Sequence, residues 1–157
     1  LSPHSLRLAL EELYYDYAAC LDDGELERWP KFFTETCIYK IIPRENFERG
    51  LPLAVLSCES RAGLEDRVTA VRETAVFGPR ALRHIVSGVR VREQHGERIL
   101  ATASYAVFET LPGEETRVFN VGRYLDAVVR DGAALRFAER VCVFDSVLVP
   151  GSLVYPI

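Results

Sequence analysis

Apolar residues recur at helical spacing in the first part of the chain and in alternation along its last half, so a helical opening precedes a strand-rich remainder. In SLRLALEELYYDYAACLDDGE, Leu6, Leu10, Leu13, Tyr17 and Leu21 follow at steps of four, three, four and four, which makes one apolar stripe on a helix. Asp22, Asp23 and Gly24 supply the stop, and LERWPKFF begins a second short helix that Pro30 ends or kinks. CIYKII reads as a strand before Pro43. RENFERGLP, with mixed charge, Gly and Pro, reads as a loop leading into the apolar run LAVLSC. Leu64, Val68 and Val71 mark another helix between Arg61 and Thr74.

From Leu82 onward the period changes. RHIVSGVRVREQ, RILATASYAVFET, TRVFNVGRYLDAVV and ALRFAERVCVFDSVLV, separated by HGE, LPGEE and RDGA, describe an antiparallel meander of long strands. In the third, Phe119, Val121, Leu125, Ala127 and Val129 share one parity, interrupted by Arg123. In the fourth, Leu135, Phe137, Val141 and Val143 do, interrupted by Glu139. The order of elements fits an α+β cone, a strongly curved, mixed or antiparallel sheet packed around N-terminal helices, as a single domain over 1–157.

Composition narrows the function. At 157 residues, 48% of them hydrophobic, the chain can bury a core without a disulfide or metal. Nineteen basic against 23 acidic residues leave a net charge of -4, so no uniform field attracts nucleic acid or an anionic membrane. No apolar run reaches the ~18 residues of a membrane helix, and the N-terminus lacks a secretory pattern, so the cytoplasm is the expected location. Cys20, Cys37, Cys58 and Cys142 form no CxxC pair and read as isolated thiols. With only His4, His84 and His95, a histidine-rich metal centre is not expected.

Two sets of residues carry candidate chemistry. Tyr14, Tyr17, Asp22, Asp23, His84 and Tyr124, if they converge inside the cone, would suit a stand-alone isomerase, dehydratase or cyclase, with phenols holding an oxyanion while a carboxylate or imidazole moves a proton. Asp66, Arg67, Arg72, Arg80, Arg83, His84, Arg90 and Arg92 place planar multi-donor side chains near a charge-rich helix and the first long strand, which fits either a partner-binding network or a solvated surface with short-range salt bridges, the clustering beside apolar strands favouring the former. The tail VLVPGSLVYPI is apolar enough that Val149, Leu153, Val154 and Tyr155 are expected to dock on the sheet or another subunit.

The phrases DYAACLDDGELERWPKFF, PRENFERGLPL, ES-x(5)-DRV-x(3)-RET from Glu59 through Thr74, RHIVSG, ASYAVF and CVFDSVLVPGSLVYPI, in that order, carry a resemblance. The chain resembles the small, or beta, subunit of aromatic-ring-hydroxylating oxygenases of the Rieske non-haem-iron class. Within it, the chain is most similar to the small subunits of salicylate 5-hydroxylase and, more distantly, terephthalate dioxygenase. The resemblance implies a cone fold related to nuclear transport factor 2 and scytalone dehydratase, assembled as three small and three large subunits. It implies that Asp66, Arg67, Arg72, Arg83, His84, Arg140 and Asp145 organise the fold and subunit contacts. Where many members have Asn three residues after the His, this chain has Ser87. The large subunit would hold the Rieske [2Fe-2S] cluster and mononuclear Fe(II), with electrons from NADH through a reductase and ferredoxin, and would hydroxylate a salicylate-like aromatic acid. This chain would contribute no catalytic, cofactor or metal residue and would act as structural support.

Overall fold

The structure, a computed structural model, describes residues 2–73, 79–146 and 155–157. Helix α1 (Pro3–Asp22) starts where Ser2 Oγ accepts from the Ser5 amide and Pro3 occupies the first turn, where a missing N–H costs nothing. Its stripe Leu6, Leu10, Leu13, Tyr17 and Leu21 is buried as the spacing predicts, and it ends at Asp23 and Gly24. The second short helix is a single 3-10 turn, Trp29–Phe32. Pro30 lies in its first turn and so opens it rather than ending it.

Strand β1 (Phe33–Pro43) begins four residues before the predicted CIYKII. RENFERGLP is not wholly a loop: Arg44–Glu48 forms the short helix α2, because Pro43, extended, occupies the cap position and Glu45 favours the first turn. Of LAVLSC only Leu56–Cys58 forms a strand, β2. Helix α3 (Arg61–Glu73) buries Leu64, Val68 and Val71. Thr74, its expected end, and Val149, Leu153 and Val154 of the tail lie outside the described residues.

Strands β3 (Ala81–His95), β4 (Arg98–Thr110), β5 (Arg117–Asp131) and β6 (Ala134–Phe144) form the expected antiparallel meander. The sheet order is β2-β1-β6-β5-β4-β3, with β1 parallel to β6, so the sheet is mixed. The β5–β6 turn needs a positive φ at its first central position, which Gly132 supplies at +63°. At Gly122 the β6 backbone approaches so closely that a Cβ would lie 2.0 Å from the Val143 carbonyl oxygen.

Phe119 and Ala127 of the apolar set noted in β5 are buried, but beyond Phe119 the inner face falls on the opposite parity. Gly122, Tyr124, Asp126 and Val128 face inward, while Arg123 is exposed with its guanidinium 5.7 Å from the Phe47 ring centroid. In β6, Phe137 faces inward as expected. A bulge at Ala138 then shifts the register, so that Arg140, Cys142 and Phe144 turn in and Glu139 turns out toward Arg98, 3.7 Å away.

Candidate functional site

Three elements converge at the centre of the cone. The helical stripe brings in Tyr14 and Tyr17, the even parity of β5 brings in Tyr124 and Asp126, and the shifted parity of β6 brings in Phe137 and Arg140. Asp126 and Arg140 are cross-strand partners, both fully buried at the side chain. Arg140 Nε donates to Asp126 Oδ1 at 3.0 Å and Nη2 to Oδ2 at 2.8 Å, a bidentate fork, and the Tyr14 hydroxyl donates to Oδ2 at 2.5 Å. The guanidinium carbon lies 3.7 Å from the Tyr124 ring centroid, 3.9 Å from Phe137 and 4.3 Å from Tyr17.

Burying two charges costs several kcal/mol per ion before compensation. Here the compensation is the fork, the phenol and an aromatic box whose negative ring faces meet the cation. Burial raises the Asp126 carboxyl above its ordinary value against the opposing pull of Arg140. Burial, and then the Asp126 charge, push the Tyr14 phenol well up, so it keeps its proton and donates. Tyr17 carries a separate chain: Trp29 Nε1 donates to its hydroxyl at 3.1 Å, which donates to the Ile157 carbonyl at 2.9 Å. Tyr39 donates to the same oxygen at 3.0 Å.

The acid/base constellation considered from the sequence does not assemble. Tyr14, Tyr17 and Tyr124 meet in the core, whereas His84 meets Asp22 beside a surface cleft of about 250 Å³ that also holds Tyr15, Ala18, Asp23 and Val86. His84 Nδ1 is 2.6 Å from Asp22 Oδ1, so it bears the proton and donates. The His84 backbone N–H donates to both Asp22 oxygens at 3.0 Å, tying the end of α1 to β3. A larger cleft of about 500 Å³ lies between α1 and the β5–β6 turn, lined by Leu13, Asp16, Lys31, Phe32 and Leu135 among others. Neither cleft is lined by Tyr14, Tyr17 or Tyr124.

The predicted arginine network resolves into separate latches. Arg72 reaches from α3 to Glu27, with Nε to Oε1 at 2.8 Å and Nη2 to Oε2 at 3.0 Å, and donates to the Gly24 carbonyl at 2.7 Å. Arg83 is exposed, 3.9 Å from Asp22. Arg80 pairs at 2.6 Å with the fully buried Glu109, which also takes Arg117 at 2.9 Å, and the Arg80 guanidinium lies 5.2 Å from the Tyr155 ring centroid. Arg92 donates to Thr102 at 3.0 Å. Asp66 is exposed and Arg67 half-buried on α3, and Asp145 pairs with Arg44 at 3.4 Å. The sequence reading missed Asp126, Glu109 and Glu27, the anionic partners that these arginines use.

The cysteines do not fit a cluster. Cys20, Cys37, Cys58 and Cys142 are free thiols, and among the described residues no three His, Cys, Asp or Glu side chains gather as a metal site. No helix among the described residues is long and apolar enough to cross a membrane.

Residues 4–141 match the SnoaL-like domain family. The chain is similar to the small subunit of anthranilate 1,2-dioxygenase from Burkholderia cepacia, 36% identical over 141 residues that span 90% of this chain and 88% of that one. Subunit beta 1 of the terminal oxygenase component of terephthalate 1,2-dioxygenase from Comamonas sp is 30% identical over 90% of this chain and 92% of its own. A solved beta subunit assigned to an aromatic-ring-hydroxylating dioxygenase of Novosphingobium aromaticivorans superposes with a TM-score of 0.90 at 36% identity, over 98% of both chains.

Proposed function

The chain belongs to the SnoaL-like domain family, among the small subunits of aromatic-ring dioxygenases, and from that membership we propose that it is the noncatalytic structural subunit of an NADH-dependent aromatic-acid hydroxylase or dioxygenase. In this reading residues 1–157 act as one domain in the cytoplasm. The partner is a large oxygenase subunit, three copies of each, supplied with electrons by a reductase and ferredoxin. The Rieske [2Fe-2S] cluster and the mononuclear iron sit in that large subunit, and no residue of this chain is assigned to oxygen chemistry.

One observation carries the noncatalytic role. The centre of the cone is occupied by the chain's own Arg140, paired with Asp126 and boxed by Tyr14, Tyr17, Tyr124 and Phe137. A substrate there would have to displace a buried, doubly bonded charge pair. Arg72, His84, Arg140 and Asp145 then serve by holding elements in register. Asp66, Arg67, Arg83 and Tyr155 are assigned to surfaces that meet other subunits. A salicylate-like substrate is supported by the relatives named for anthranilate and terephthalate, since salicylate, like anthranilate, is a benzoate with an ortho donor.

The test is turnover. Supplied with salicylate, oxygen, NADH and the electron-transfer proteins, the purified chain alone should form no hydroxylated product, and adding the large subunit should give product. Hydroxylation by the chain alone would overturn the noncatalytic role.

A further inference from the structure

The cleft of about 500 Å³ between α1 and the β5–β6 turn takes no part in the interior network, yet it has the size and floor of a small-molecule site. The floor is apolar. Leu13 from α1, Phe32 from the 3-10 turn and Leu135 from β6 line it, and Ala9, Ala133 and Ala134 complete it. The surrounding elements are tied together before any ligand enters. Phe32 packs edge-on against Tyr17 with 5.7 Å between ring centroids, and Arg136 joins β6 to the 3-10 turn by donating to the Lys31 carbonyl. A site whose walls are already ordered loses little entropy on binding.

The charges around that floor select the ligand. Three cations line the cleft, and two are neutralised by partners outside it: Arg28 pairs with Glu25 at 2.5 Å and Arg136 with Asp131 at 2.7 Å. The third, Lys31, has no ion-pair partner among the described residues. On the α1 side Glu12 and Asp16 lie one turn apart, and neither side chain makes a hydrogen bond or ion pair among the described residues. Like charges at that spacing repel one another, and a donor shared between them relieves the repulsion. One open cation and two open acceptors, carried by different elements, therefore border the same apolar floor.

We propose that this cleft binds a small aromatic carboxylate that carries a hydrogen-bond donor at its other end. The ring lies on Leu13, Phe32 and Leu135, the carboxylate accepts from the Lys31 ammonium, and the donor bonds Glu12 and Asp16. Other ligand classes fit less well. A wholly apolar molecule would strip water from Lys31, Glu12 and Asp16 without replacing it, and the two carboxylates repel a polyanion such as a nucleotide. Every contact comes from this chain, so the inference goes beyond the small-subunit reading and does not depend on the large subunit.

The experiment titrates the isotope-labelled chain at neutral pH with 4-aminobenzoate, benzoate and aniline and follows the backbone amide resonances. Half-saturation by 4-aminobenzoate is expected below about 1 mM, as suits a ligand of its size, with the shifts confined to residues 9–16, 31–32 and 133–136. Benzoate and aniline should each bind about fivefold more weakly, since each lacks one of the two polar contacts. Lys31→Met should remove the advantage of 4-aminobenzoate over aniline, and Glu12→Ala/Asp16→Ala its advantage over benzoate. Each variant should melt at the wild-type temperature, because the changed side chains are exposed. Shifts that do not saturate, that fall on other surfaces, or that Lys31→Met leaves unchanged overturn the proposal. So does equal affinity of the wild-type chain for the three probes, which needs no variant to read. A chain that binds the acid but no large subunit would end the small-subunit reading and leave this site standing.

Discussion

Replacing Arg140 by Met keeps most of the side chain's length and removes the charge, leaving Asp126 buried with only the Tyr14 bond. Breaking one side of a buried pair typically costs about 3–5 kcal/mol, because the remaining charge is uncompensated. For a domain of this length about 4 kcal/mol corresponds to a melting temperature lower by about 12 °C. The loss should depend on pH. Burial already holds the folded carboxyl of Asp126 above its unfolded value. Without the cation it rises further, and a raised folded pKa costs stability as pH climbs through it, so the deficit should be larger at pH 8 than at pH 5. Adding Asp126→Leu and Tyr14→Phe removes the orphaned carboxylate and hydroxyl together and should recover more than half of the loss. Urea unfolding of the single and triple variants at both pH values is the assay. An Arg140→Met variant within about 1 kcal/mol of wild type at both pH values would refute the picture of a charge pair that fills the cone.

Gly122→Ala should cost more than about 3 kcal/mol in the same assay, since the new Cβ meets main-chain atoms of Val143 and Phe144 that cannot move without opening β5 from β6; a near-neutral variant would contradict that close approach. The Arg72 bond holds the exposed Glu27 carboxyl down to about 2, so its contribution is present above the unfolded value and lost as pH falls through about 2. In Arg72→Gln the Glu27 carboxyl resonance should titrate near the ordinary ~4.3, and an unchanged midpoint would disprove the latch. Burial raises all four thiols, Cys20 to about 11, so a disulfide reagent at pH 8 should label the native protein slowly and the unfolded protein at all four sites. Rapid native labelling of Cys142 would contradict its burial.

The helices were legible because their apolar residues repeat at 3.6 and face one way. Leu6 to Leu21 and Leu64 to Val71 needed no tertiary information. The meander was legible from its turns. The inner faces of β5 and β6 were not, because the chain places a charge on each and hides them against one another, so alternation of apolar residues pointed to the wrong parity. A hairpin count holds the missing signal. The turn pairs Asp131 with Ala134, and an unbroken ladder would set Asp126 opposite Glu139, two like charges. Shifting the register by one residue sets it opposite Arg140, which is what the bulge at Ala138 does. Arg140 entered the sequence reading only through the family resemblance, and Asp126 did not enter it. The parallel pairing of β1 with β6 joins segments about a hundred residues apart, which no local pattern encodes.

We propose that this chain works as the small partner of a larger oxygenase subunit. Native mass spectrometry of the complex purified from its own cells, with subunit masses and iron content read on the same sample, tests it most directly. The expected result is an assembly in which this chain is bound, in equal copy number, to a larger iron–sulfur protein. A reproducible assembly of this chain alone, with no larger partner and no iron, would contradict it.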